Sequence, residues 1–418
     1  MPIRAEAWVA ISTPRRRCPA GAALLLAGIF SACGDTTSPP IDNLPARIRV
    51  AAGDTQFAAP AMAVQTPPVV EVQNAAGRPL PGVTVEFQIG EGGGWTSAAT
   101  VVTDAAGRAT TAWYLGPSPG SAHRLIAALA GGSVATSLHA TALPLDPDST
   151  YFGRNGYIEF AAGDLPLVLS APHGGTLLPS ELPDRTSGET VTDVNTIELA
   201  RAIADEFEQR TGKRPYLVLC RLGRTKLDAN REIREAAQGN AGAEIAWREW
   251  HGFLQAARAA VESGGTGLYI DLHGHGHAIA RLELGYLLSA GELGLSDAQL
   301  NTSPLIARSS VRALAARAPA GLASLLRGPQ SLGSLLAARG FPAVPSQSQP
   351  GPGTGPYFSG GYDTERHGSH AGGQVDAIQI EAHRVGVRDT EGSRTAFAEA
   401  LVAALQDYFV AHYGRSLN

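Results

Sequence analysis

The 418 residues carry 38 acidic and 33 basic side chains, a formal charge of -5, with 44% hydrophobic and 17% charged residues. This balance excludes a disordered chain, and the lack of any basic run outside the leader argues against a nucleic-acid partner. The length suits roughly two domains plus a leader, and 49 Gly with 28 Pro point to many turns.

Arg15, Arg16 and Arg17 precede an apolar stretch from Ala22 to Phe30 that closes on Ser31, Ala32 and Cys33. A basic start, an apolar run too short to span a bilayer and small residues at its end read as a secretory signal. The FSAC segment resembles the lipobox of bacterial lipoproteins, which implies a signal over 1–33 and lipidation of Cys33. Phe30 stands where Leu, Val or Ile is commoner, and an ordinary cleaved signal is the alternative. The polar, proline-bearing stretch 34–45 reads as a flexible tether. The expectation is therefore an exported protein of the bacterial cell envelope, held to a membrane through a lipid on Cys33.

From 46 to 142 short β-rich runs alternate with turn signals, as in a sandwich of two antiparallel sheets. Strict alternation places Val83, Val85, Phe87 and Ile89 on one buried face. GRPLPGVTVEF and TDAAGRATTAWYLG resemble bacterial immunoglobulin-like repeats of invasin-type surface proteins, which implies a spacer or adhesion module. His123 and His139 read as solvated single histidines. Residues 143–150, with Pro144 and Pro147, read as a linker.

From 151 to 418 strands alternate with amphipathic helices, an α/β layer fold with a mostly parallel, mixed sheet and helices on both faces. Expected strands are 165–170, 216–220, 267–270, 283–287 and 377–380; expected helices are 193–210, 244–263, 305–316, 332–339 and 393–413. Cys220 falls in a strand and reads as a buried, inert thiol. Four strands lead into polar residues: His173, Arg221, the Asp271/His273 pair and Glu381. Open α/β sheets bind ligands at the carboxyl ends of their strands, so four such segments imply one convergent site. A catalytic zinc takes about three His or carboxylate ligands and leaves a position for water. His173 and His273 are the candidate ligands, Asp271 a carboxylate that could fix a histidine tautomer, and Glu381 a desolvated general base.

Six segments, APHGG (171–175), TDVNT (192–196), LDANR (227–231), DLHGH (271–275), SGGYDTERHG (359–368) and AIQIE (377–381), resemble in content and order the N-formylglutamate amidohydrolase family. The resemblance implies a fold shared with zinc carboxypeptidases, of the phosphorylase/hydrolase-like class. It also implies one Zn2+ on His173, Asp193 and His273, and hydrolysis of an amide on a substrate bearing a free carboxylate. Glu381 takes the catalytic role, while Asn230, Arg231, Gly360, Gly361 and His367 take the substrate. Carboxypeptidases carry a glutamate three residues after the first histidine, where this chain has Thr176; Asp193 fills that place, with Glu198 a poorer substitute. His275 and His277 stand open as ligands or bystanders, as do His367 and His370 as substrate contacts or loop residues. Arg221 and Arg224 could be structural ion pairs. Export makes formylglutamate a poor substrate and favours N-acyl amino acids, peptides or peptidoglycan fragments. The rival readings are a carboxypeptidase-type peptidase and a surface-binding protein without activity.

Overall fold

Strand after strand in the C-terminal part is apolar on both faces, as a sheet covered by helices on either side requires. The computed structural model describes residues 43–418; the signal expected over 1–33, Cys33 and the tether up to residue 42 lie outside the described residues. Eight strands form one sheet in the spatial order Thr150–Phe152, Ile158–Ala161, Tyr216–Cys220, Leu167–Ala171, Gly267–His275, Val375–His383, Leu282–Gly285, Ala343–Val344. The four strands from Tyr216–Cys220 to Val375–His383 run parallel. Ile158–Ala161 and Leu282–Gly285 flank them antiparallel.

Alternation divides each strand between two cores. Leu167, Leu169, Leu217, Leu219, Leu268, Ile270, Ile378 and Ile380 face the helices Thr196–Thr211 and Glu391–Tyr413. Val168, Val218, Cys220, Tyr269 and Ala377 face the long helix Ala241–Ser263, with its Trp250 and Phe253. The same parity carries Asp271, His273, Gln379 and Glu381 onto the second face, just beyond where its apolar cover ends. The long helices are capped by the side chains of Asn240 and Thr390, which accept from Ala243 N and Ser393 N. Burial pushes the Cys220 thiol up to about 12, so it is protonated and inert at neutral pH.

The segment expected as one helix over 305–316 is two short ones, Ser303–Arg308 and Arg312–Arg317. Two strands run past their expected ends: Gly267–His275 and Val375–His383 pair as far as His275 with His383. His273 and Glu381 therefore stand on strands.

Residues 47–142 form a five-stranded, a three-stranded and a two-stranded sheet. Ile48, Val70 and Val72 of the three-stranded sheet share one core with Val85, Phe87, Leu125, Ala127 and Leu138 of the five-stranded one. Val85 and Phe87 are buried as the alternation requires, while Val83 and Ile89 are only partly so. His123 corrects the expectation of a solvated residue: it is buried, its Nε2 accepts from Gly116 N at 2.8 Å, and it fastens a turn. Asn43–Asn418 is one compact unit, and Ala61 of the β-rich part joins the core that holds Tyr157 and Trp250. No described helix is long and apolar enough to cross a membrane.

Candidate metal centre

Three segments far apart in sequence bring His173, Asp193 and His273 together, with ligand atoms all within 4.8 Å of one another. His173 follows the strand Leu167–Ala171; Asp193 N donates to its carbonyl at 3.0 Å, which ties the 193–196 turn to that strand end. Gly174 permits the approach, since a Cβ there would stand 2.5 Å from Thr196 Oγ1. Asp193 Oδ2 lies 3.5 Å from His173 Nδ1 and 3.3 Å from His273 Nδ1, and also accepts from Gly274 N at 3.1 Å. Ligand atoms around a tetrahedral zinc with bonds of about 2.0–2.1 Å are spaced roughly 3.3 Å apart. The two spacings to Asp193 fit an ion and lie at or beyond the long end of hydrogen-bond lengths.

The outer nitrogens are held differently. His173 Nε2 lies 2.7 Å from Asp228 Oδ1, and His273 Nε2 lies 3.0 Å from Asp271 Oδ2. A neutral imidazole that donates from Nε2 to a carboxylate keeps the Nδ1 lone pair for a metal. His173 Nδ1 is buried with no hydrogen-bond partner, as a ligand atom facing a metal position would be. Asp228 is steadied by Arg224, whose Nε and Nη2 both lie 3.0 Å from its Oδ2. Ser170 Oγ donates to Asp271 Oδ1 at 2.6 Å. Burial opposes the charge on Asp193, but the two facing imidazoles prevail and hold its carboxyl well below the usual range. Asp228 is depressed likewise, burial again being overcome by His173 and Arg224.

Two other histidine clusters could hold an ion by composition, His251/Asp363/His367 and His275/His277/Glu283. Their facing atoms are closer, with His251 Nδ1 2.8 Å from His367 Nε2 and His277 Nδ1 2.9 Å from Glu283 Oε1. Those are hydrogen-bond lengths, at which the two groups share a proton. His275 and His277 are thus bystanders of the first centre, tied to Arg281 O and to Glu283. Glu198 is exposed on its helix and belongs to none of the three clusters.

Beside the first cluster Glu381 pairs in register with His273, and Gln379 Nε2 donates to its Oε1 at 2.9 Å. Burial pushes the Glu381 carboxyl up to about 8, against the pull of His273. A cavity of about 300 Å3 joins Glu381 to the three cluster residues, with Asn230, Arg231, Gly360 and Gly361 also in its wall. Arg231 is partly exposed; its Nε meets Glu235 at 3.2 Å and its Nη1 donates to Asn230 O. That leaves Nη2 for a ligand. Asn230 is more confined than expected: its Oδ1 accepts from Asp363 N at 2.7 Å, and its Nδ2 packs 3.2 Å from His273 Nε2. Gly361 admits it, for a Cβ there would come within 2.4 Å of Asn230 Nδ2.

His367 departs from expectation. It lies in a short helix, Tyr362–His367, not in a loop; it is fully buried against His251 and absent from the cavity wall, so it cannot touch substrate directly. His370 bonds to Ala307 O, away from the cavity. Arg224 is committed to Asp228, and Arg221 lies 4.0 Å from Glu159. Asp228 was missed, although it sits within LDANR beside two residues singled out there.

No protein-family model and no curated protein matches the chain. Among solved structures, the N-formylglutamate amidohydrolase from Ralstonia eutropha JMP134 is 15% identical with a TM-score of 0.37, over 64% of this chain and 98% of that one. The N-acetylmuramyl-L-alanine amidase Ami1 from Mycobacterium abscessus is 15% identical with a TM-score of 0.27, over 58% and 98%. The D00-D0 domain of intimin is 20% identical with a TM-score of 0.20, over 26% and 51%. Likenesses this loose do not decide a chemistry, which rests on the residues themselves.

Proposed function

We propose that the chain is a zinc-dependent amidohydrolase that cleaves an N-acyl amino acid or peptide amide bearing a free carboxylate. The observation that carries this reading is the cluster of His173, Asp193 and His273 at metal-ligand spacing, with Asp228 and Asp271 behind the histidines and Glu381 beside them. Two imidazoles and one carboxylate suit zinc, and the partnerless Nδ1 of His173 fits the same demand.

His173 Nδ1, Asp193 Oδ2 and His273 Nδ1 would hold the ion, which when bound supplies a Lewis acid and an acidified water. Asp228 and Asp271 keep the Nε2 protons on the outer side of both rings, so the Nδ1 atoms remain donors. Arg231 offers Nη2 to the substrate carboxylate, a charge-assisted bond that fixes the amide over the cluster. Burial alone would keep Glu381 protonated, and a cation held by the three ligands would favour its ionised form. With Oε1 engaged by Gln379, it then takes a proton from water at Oε2 and returns it to the amine nitrogen as the C–N bond breaks. The small cavity favours short acyl amino acids over polymers.

The leader residues and Cys33 support the further reading that the protein works outside the cytoplasm, lipid-anchored in the cell envelope, with the β-rich part as spacer or adhesion module.

The test is release of amine from N-acyl amino acids and short peptides by the zinc-loaded full chain, beside Glu381→Gln. Glu381→Gln should keep its zinc and lose roughly 10²–10⁴-fold in kcat. Equal turnover in that variant, or no hydrolysis of any carboxylate-bearing amide, sinks the reading.

A further inference from the structure

Glycines aside, every residue lining the cavity is polar except Phe358. Its phenyl ring is left 44% exposed, an apolar surface open to the cavity. Its position is fixed from two sides. Phe358 N donates to Glu283 Oε2 at 2.9 Å, and the ring stacks on His277 with centroids 4.9 Å apart and planes 11° from parallel. His277 is in turn held by Glu283 Oε1. The otherwise puzzling His277 and the fully buried Glu283 thus form a bracket that presents one apolar surface to a polar cavity.

The strand order says which end of a substrate meets that surface. The strand Tyr216–Cys220, after which the segment carrying Arg231 follows in the chain, lies on one flank of the strands that precede His173 and carry His273, and Arg231 lines the cavity from that segment. On the other flank come the Glu381 strand and then Leu282–Gly285, whose Glu283 pairs with Glu381 and tethers Phe358. A substrate whose carboxylate rests on Arg231 and whose scissile bond lies over the metal cluster extends its acyl group past Glu381 towards Phe358. Resting on the amidohydrolase reading, the geometry points to Phe358 as the determinant of acyl specificity, and to N-acyl amino acids with an apolar acyl chain longer than formyl as the substrate class.

The experiment is kcat/KM for the zinc-loaded full chain on one amino acid bearing formyl, acetyl, butyryl and hexanoyl groups. The same compounds are also titrated onto Glu381→Gln, which reads binding without turnover. With the wild type kcat/KM should rise about two- to four-fold per methylene. Phe358→Ala should flatten the series and Phe358→Leu should restore part of the slope, with zinc content and Tm unchanged in both. A wild type that prefers formyl, or a slope unaltered in Phe358→Ala, overturns the acyl assignment and leaves the hydrolase reading standing. No turnover and no binding of any member overturns both.

Discussion

His173 Nε2 and Asp228 Oδ1 lie 2.7 Å apart, both side chains buried, and Arg224 closes on the other oxygen of the same carboxylate. This pair sets the ring so that Nδ1 points at Asp193. Removing the charge while keeping the shape should weaken the metal site without unfolding the chain. Asp228→Asn is expected to lower zinc affinity by about 10–100-fold, read by competition with a chromogenic chelator. An unchanged affinity would mean that Asp228 serves only Arg224 and Arg185, whose Nη1 lies 3.8 Å from its Oδ2.

Arg231 keeps Nη2 available while Glu235 and Asn230 O fix the rest of its guanidinium. Replacing it with Met retains the apolar stem and deletes the fork. For substrates with a free carboxylate, Arg231→Met should lower kcat/KM by about 10–100-fold, the worth of a charge-assisted bond, and should leave the amidated analogues unaffected. Equal loss on both substrate sets would point to a general disturbance of the 227–231 segment.

Glu249 offers a pH test remote from the metal cluster. It is buried on the helix Ala241–Ser263, with Oε1 accepting from Arg154 N at 2.9 Å and Oε2 without a partner. Burial pushes its carboxyl up to about 7 from 4.5, against the Arg154 bond. The folded state therefore holds this proton more tightly than the unfolded chain. Its stabilising contribution is full below pH 4.5, declines as pH rises, and is gone above about 7. Glu249→Gln should raise stability at pH 8 by up to about 3 kcal/mol and change little at pH 4.5, as urea midpoints would show. A wild type and variant that respond alike to pH would contradict the assignment.

The central strands, His173 and His273 were legible because both histidines lie on or just after an apolar run, where an unpartnered polar group would be costly; Asp193 follows a polar stretch and was named only through the family resemblance. His173, Asp193, His273 and Glu381 do converge. Strand alternation places Gln379 and Glu381 on one face, where they are hydrogen-bonded. His367 was misjudged because a six-residue helix shows no period, and the Gly-rich text around it reads as a loop. Asp228 was overlooked because its task is done through another residue's ring, and spacing along the chain does not reveal which imidazole a carboxylate will meet. The break between Arg308 and Arg312 left a similar gap, since apolar periodicity runs on through Ser309 and Ser310, both buried.

The most direct test is the metal content of the purified full chain, beside His173→Ala and His273→Ala. About one zinc per wild-type chain is expected, and none retained by either variant after dialysis, with far-UV circular dichroism unchanged. A wild type that binds no zinc when it is supplied, or variants that keep theirs, would contradict a metal centre at His173, Asp193 and His273.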